Sequence, residues 1–329
     1  MECLFHDLWY RYLMELSVIV VLYNSTETIA PCVASIPSDA EVVLVDNGSS
    51  DNGLEVALGV RADAVAVRTH NRGFGAGCNR GALASSKSTL LFLNPDAVLD
   101  AGAAELLTEV VGGNLDLVAG PAIADSDGNL MHVCRKATTP SVDLAELVAG
   151  LRRVFPTRWR RDLPPEDSIY ETGGDLPYVQ GACIAISREL FIRVGGFDER
   201  FFLYYEEEDL CRRVRDKGGL CVYLPKASVR HVWGHSTGQQ SGITSYELFR
   251  SRVLFYKKWS GPATGVVMAF AMGLLAILGF IVSLARSAVA APNNAQSART
   301  GRAACWDTFR GCVDGMLGRP SANSQVTQS

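Results

Sequence analysis

Short apolar runs alternate with polar, glycine- or proline-bearing breaks through residue 231, the rhythm of strands joined by crossover helices. Residues 16–22 are a continuous β-branched run, as in a parallel strand covered on both faces. The run ends at Tyr23-Asn24-Ser25-Thr26, where Ser25 or Thr26 can cap a helix running towards Ile36. Residues 41–45 predict a second strand, closing on Asp46-Asn-Gly-Ser-Ser-Asp51, and residues 64–68 a third. A loop over residues 70–79 then leads into a helix through Ser85. Residues 90–93 are apolar and halt at Asn94-Pro95-Asp96, where the proline stops the ladder and a carboxylate follows. Further strands are expected over 115–120, 178–186 and 220–224, with a helix over 188–194 and an aromatic strand from Phe201 into the acids Glu206, Glu207, Glu208 and Asp209. The pattern predicts an α/β fold with a Rossmann-like, mostly parallel central sheet flanked by helices.

In such a sheet ligands collect outside the carboxyl ends of the strands. Four of those ends carry polar loops: Tyr23/Asn24, Asp46, Asn71 to Asn79, and Asn94/Asp96. Asp96, a hard oxygen ligand, suits a divalent cation holding a diphosphate, or is simply a turn acid. Asp46 can accept hydrogen bonds from a ribose or a pyrimidine. Glycines 73, 75 and 77 either let backbone amides approach an anion at a helix N-terminus or make an ordinary turn. Their spacing is not Gly-x-Gly-x-x-Gly and follows the third strand, which disfavours a dinucleotide-binding dehydrogenase; no P-loop occurs. A nucleotidyltransferase is disfavoured as well, since the turn after the first strand lacks a Lys/Arg-bearing, glycine-rich loop. Of the four consecutive acids, one pointing into an aromatic wall would be raised towards the range of a general base, whereas the others fit an acidic first helical turn. His231 either completes a metal site near Asp96 or is merely hydrogen-bonded.

The net charge of −4 argues against a nucleic-acid partner. Nine scattered cysteines without Cys-x-x-Cys fit reduced thiols better than a disulfide framework or zinc site. Residues 1–13 read as an extension outside the fold, without the apolar core of a signal peptide. The stretch 150–167 holds five arginines and suits either a solvated loop or a contact with acidic head groups or an acceptor diphosphate. Residues 262–285 carry no charge and are long enough to cross a bilayer as a helix or to lie on its surface. Four segments are expected: 1–13, a domain over 14–260, a hydrophobic membrane-associated or transmembrane helix over 261–290, and a mobile polar tail over 291–329.

In order and spacing, Val20-Val-Leu-Tyr-Asn24, Val45-Asp-Asn-Gly-Ser-Ser-Asp51, Asn71-x-Gly-Phe-Gly-x-Gly-x-Asn79, Asn94-Pro-Asp96, Gly181-Ala182, Gly195-Gly-Phe-Asp198, the acidic run to Leu210 and His231 together resemble an inverting family 2 glycosyltransferase of the GT-A fold, in its bacterial rhamnosyltransferase-like branch. The resemblance covers residues 16–258. It implies that Tyr23, Asn24, Asp46, Asn71, Gly73, Asn79, Asn94 and Asp96 bind a nucleotide-sugar donor, dTDP-rhamnose or a UDP-linked sugar. Asp96 stands where the family places the metal-binding acid of its Asp-x-Asp motif, Asn94 replaces the first acid, and His231 matches a histidine that helps hold Mg²⁺ or Mn²⁺ in some relatives. The family's Glu-Asp pair is here Glu206-Glu207, which makes Glu207 the implied base and Glu206 the runner-up. A lipid-linked or cell-envelope glycan acceptor and the cytoplasmic face of a bacterial inner membrane follow from the family and the hydrophobic tail. The non-enzymatic alternative is a membrane-tethered sugar-nucleotide-binding protein.

Overall fold

The computed structural model describes residues 15–147, 162–164, 167–231, 241–289 and 295–324. The expectations for residues 1–13 and for most of the arginine-rich stretch lie outside them.

The first strand, β1 (Leu16–Leu22), is buried along its whole length. Its side chains alternate between two cores. Leu16, Val18, Val20 and Leu22 face helices α1 (Ile29–Ala34), α2 (Gly53–Val60) and α4 (Ala103–Gly113). Ile19 and Val21 face α3 (Phe74–Ala84), α7 (Arg188–Arg193) and α8 (Glu206–Asp216). Burial on both faces is what the uninterrupted β-branched run requires. Strands β2 (Glu41–Asp46), β3 (Val65–Arg68) and β4 (Thr89–Leu93) extend the parallel sheet in the order β3-β2-β1-β4.

Beyond β4 the sheet is mixed. β8 (Cys183–Ser187) runs antiparallel between β4 and β6 (Leu117–Ala124), and β9 (Leu220–His231) runs parallel to β6. Short β5 (Ala97–Leu99) and β7 (Gly174–Asp175) pair with β9. The β5–β9 pairing sets Ala97 opposite His231, so the turn after β4 and the end of β9 meet. The remaining helices are α5 (Pro140–Leu147), the short α6 (Ile169–Thr172), α9 (Ser241–Trp259), α10 (Pro262–Val289) and α11 (Ala295–Leu317).

Several expectations need correction. Residues 178–182 are not strand; β8 begins at Cys183. The aromatic stretch before the acids is a set of bends, with Tyr204 and Tyr205 at φ 68° and 70°. Such left-handed backbone is unfavourable for bulky residues and persists where surroundings over-determine it. Those surroundings are α9: Ser251 donates to the Leu203 carbonyl (2.8 Å) and Arg252 to the Tyr205 hydroxyl (2.6 Å), while Phe255 packs on the Tyr205 ring. The expected polar tail after residue 291 is, over Ala295–Leu317, a helix held against α9 and α10. Its small residues allow this, since Gly311 and Gly315 press against the α9 backbone at Tyr246 and Arg250. Neither Ser25 nor Thr26 caps α1 with its side chain; the Thr26 hydroxyl is bound to Asp51 (2.6 Å). The eight described cysteines are free thiols.

Candidate active site

The carboxyl ends of β1, β2 and β4 border a cavity of about 360 Å³ that the start of α8 also lines. Tyr23, Asn47, Asn71, Gly73, Asn94, Asp96, Glu206, Glu207 and His231 line it. Residues more than a hundred positions apart therefore share one space.

On the β4 side, the Asn94 backbone N–H donates to the Ala182 carbonyl (3.0 Å) and the Ala97 N–H returns to the Asn94 carbonyl (3.1 Å). This tight turn aims Asp96, buried at 5% exposure, at the end of β9, where its Oδ1 lies 2.9 Å from His231 Nε2. A carboxylate beside an imidazole is a donor set for a divalent cation whose other ligands come from a diphosphate and water. Among the described residues no cluster of three or more His, Cys, Asp or Glu side chains could cage an ion without a substrate. The pair thus fits a cation delivered with, and completed by, a nucleotide.

On the β2–β3 side, Asn47 Nδ2 donates to Asn71 Oδ1 and to the Gly73 carbonyl, both at 3.1 Å. Its buried Oδ1 has no hydrogen-bond partner and is available to a ligand N–H. Asp46 stands one residue outside the lining, its Oδ1 accepting from the Ser49 N–H (2.9 Å). Asn24 is also outside, accepting from Ser50, and Asn79 is turned away: its amide bonds the Phe197 backbone through both atoms, at 2.8 and 2.9 Å. Of the three glycines, Gly73 lines the cavity and the other two do not. Gly75 and Gly77 lie within α3, packed on Phe197 and Val21. Gly73 has φ 102°, and any Cβ there would collide with the Phe202 backbone, whose carbonyl accepts the Phe74 N–H. These glycines permit close packing of α3; the helix's first amide is already spent on protein.

The four acids divide by partner. Glu208 accepts from the Thr138 N–H and hydroxyl, both at 2.7 Å. Asp209 is fully buried and held by Lys258 (2.6 Å), Arg213 (2.8 Å) and Trp259 Nε1 (2.9 Å). Glu206 and Glu207 remain to face the cavity, with Glu207 against Gly181. Burial, and then the neighbouring Glu207, push Glu206 well above the usual carboxylate range. Folded Glu206 thus keeps a proton that the unfolded chain releases above its ordinary pKa of 4.5, so stability falls as pH rises through that value and beyond. Glu206→Gln removes this loss: its melting temperature should match the parent near pH 4 and exceed it increasingly towards pH 8, as a pH series of thermal melts would show.

Sequence reasoning missed Asn47, Arg135, Gln180, Tyr204 and Thr244, all of which line the cavity. Asn47 was within reach, as the next residue of the Asp46 motif. The others arrive by chain reversals and by α9, which leave no local signature.

A half-parallel, half-mixed α/β sheet with a carboxylate turn at one strand end and an acidic helix start lining the same cavity has the architecture of the GT-A fold. The chain belongs to glycosyl transferase family 2, whose profile matches residues 17–195. It is 29% identical over 245 residues to the N-acetylglucosaminyl-diphospho-decaprenol L-rhamnosyltransferase of Mycobacterium tuberculosis, covering 68% of this chain and 78% of that one. It is 30% identical over 250 residues to a low-salt glycan biosynthesis hexosyltransferase of Haloferax volcanii, covering 73% and 75%. Its fold is similar to that of a mannosyltransferase from Pyrobaculum calidifontis solved with GDP-Man and Mn²⁺, at a TM-score of 0.51 and 15% identity over 95% of this chain and 94% of that one.

Proposed function

We propose that this glycosyltransferase moves L-rhamnose from dTDP-rhamnose to a hydroxyl of a lipid-linked cell-envelope glycan, with inversion, at the cytoplasmic face of the plasma membrane of a bacterium. The observation that carries the reading is the single cavity lined by both Asp96–His231 and Glu207. Similarity to the mycobacterial rhamnosyltransferase over most of its length supports the choice of sugar and of acceptor class.

The nucleoside end of the donor lies at the β1–β2 side, where Tyr23, Asn47 and Asn71 offer a ring and amide groups beside Asp46. Asp96 and His231 would hold Mg²⁺ or Mn²⁺, which when bound neutralises charge on the leaving diphosphate. Glu207 takes the proton from the acceptor hydroxyl as the oxygen attacks the anomeric carbon from the face opposite the diphosphate. Glu206, whose burial favours its neutral form, is the less suited of the two to accept that proton. No covalent intermediate is needed, and an acceptor hydroxyl seated at Glu207 takes the place of water.

A thermal-shift screen of nucleotide sugars with and without Mn²⁺, followed by transfer assays, tests the reading. A donor present at a hundred times its Kd stabilises by about 2.7 kcal/mol. dTDP-rhamnose should give the largest metal-dependent shift. A larger shift with a UDP-linked hexose, N-acetylhexosamine or galactofuranose would assign that donor instead, a reading the hexosyltransferase relative favours. Binding without turnover on any acceptor would leave a sugar-nucleotide-binding protein.

A further inference from the structure

Helix α10 is too exposed for a core helix and too closely escorted for a membrane span. Only 33% of an 18-residue apolar stretch within residues 262–285 is buried. Met268, Ala269, Met272 and Ala276 face the protein, while Val267, Phe270, Leu274, Leu278 and Ile281 form an outward stripe at helical spacing, each 48–66% exposed. Along its other side runs α11, antiparallel: Phe309 lies against Gly273, Cys305 against Gly279 and Gly301 against Ser283. The register sets the apolar run level with Arg302, Asp307, Arg310 and Asp314.

A perpendicular span would carry those charges into hydrocarbon beside α10, where ionised side chains are strongly disfavoured. Nor can α11 stay behind. Its glycines are pressed onto α9, and Asp314 accepts from the Tyr246 hydroxyl (2.8 Å). Helix α9 is in turn fastened to the bends that lead into Glu206 and Glu207, through Ser251 and Arg252.

We propose that α10 and α11 form an in-plane hairpin that lays the outward α10 stripe into one leaflet of an anionic bilayer without crossing it. Charge complementarity selects the occupant. The chain as a whole carries −4, yet residues 286–319 hold five arginines against two aspartates, a local excess that attracts acidic head groups. Trp306, 55% exposed and stacked on Phe309, adds a side chain suited to the interface. Continuity with the active site gives the arrangement its use: α9 joins the hairpin to the cavity, which Thr244 lines. The proposal rests on the reading that the acceptor is lipid-linked, because such docking holds the cavity near the plane where that acceptor resides.

The test is flotation of the full chain with phosphatidylcholine vesicles containing about 30% phosphatidylglycerol, followed by alkaline carbonate extraction. The parent should float and be released by carbonate. A variant carrying Phe270→Asp, Leu274→Asp and Ile281→Asp, all pointing outward, should keep its melting temperature and remain soluble. It should also lose at least tenfold in transfer to a vesicle-embedded lipid acceptor while staying within about twofold on a water-soluble one. Resistance to carbonate would show a span and overturn the in-plane geometry. Failure to float, with a dimer by sedimentation that the variant abolishes, would assign the stripe to a second copy. If the parent floats as expected but transfers to no lipid acceptor, the lipid-linked-acceptor reading fails while the docking surface stands.

Discussion

Replacing Glu207 with glutamine is expected to lower turnover by about 10²–10⁴-fold, the usual contribution of a positioned base, while donor affinity stays close to that of the parent. Glutamine keeps the shape of the side chain but cannot accept the hydroxyl proton. The substitution lies at the start of α8, on a different element from Asn47 and Asn71, the groups proposed to meet the nucleoside, so nucleotide contacts should survive. Steady-state rates across a donor titration, with calorimetry of the nucleoside diphosphate, separate the two effects. Turnover surviving within severalfold would reject Glu207 as the base and pass the role to Glu206. The glutamine variants of the two residues should diverge: Glu206→Gln chiefly alters the pH dependence of stability, since that residue's environment already favours its neutral form.

Asp96→Ala should weaken binding of the nucleoside diphosphate by roughly ten- to a hundredfold when Mg²⁺ or Mn²⁺ is present, about 1.4–2.8 kcal/mol, and change it little in EDTA. The ground is the position of Asp96: buried, lining the cavity and 2.9 Å from His231. Asn94 cannot compensate as an anion, and its carbonyl is engaged by the Ala97 N–H. With one carboxylate in the pair, an ion held there would lean on the diphosphate more than at a two-acid site, so losing that carboxylate should be felt through nucleotide affinity. Titrations with and without metal decide it. An equal loss in both would mean that Asp96 shapes the turn and does not hold the ion.

Much of the parallel half of the fold was legible because its strands are short, continuously apolar and broken by residues that forbid extension, such as Pro95. Asp96 could be placed at a strand end for that reason, and the turn in the structure follows the motif. The aromatic run before Glu206 misled, since Phe201 to Tyr205 has strand composition but is bent into left-handed conformations by hydrogen bonds from α9, about fifty residues later. Asn79 misled for a related reason: it belongs to the motif but serves the packing of α3 on the Phe197 turn.

By itself, the sequence determined the strands of the parallel half, the carboxylate at the end of β4, the acidic pair that opens α8 and an apolar helix too long to overlook. These are encoded locally, in hydrophobic period, in breakers and in the chemistry of neighbouring residues. Only the tertiary structure decided that Asp96 meets His231, that Glu208 and Asp209 are tied up while Glu206 and Glu207 face the cavity, and that an arginine-bearing helix escorts the apolar one. Those outcomes depend on contacts between distant segments, whose geometry is fixed by the packing of whole helices and by the β5–β9 pairing, and no window of sequence contains both partners.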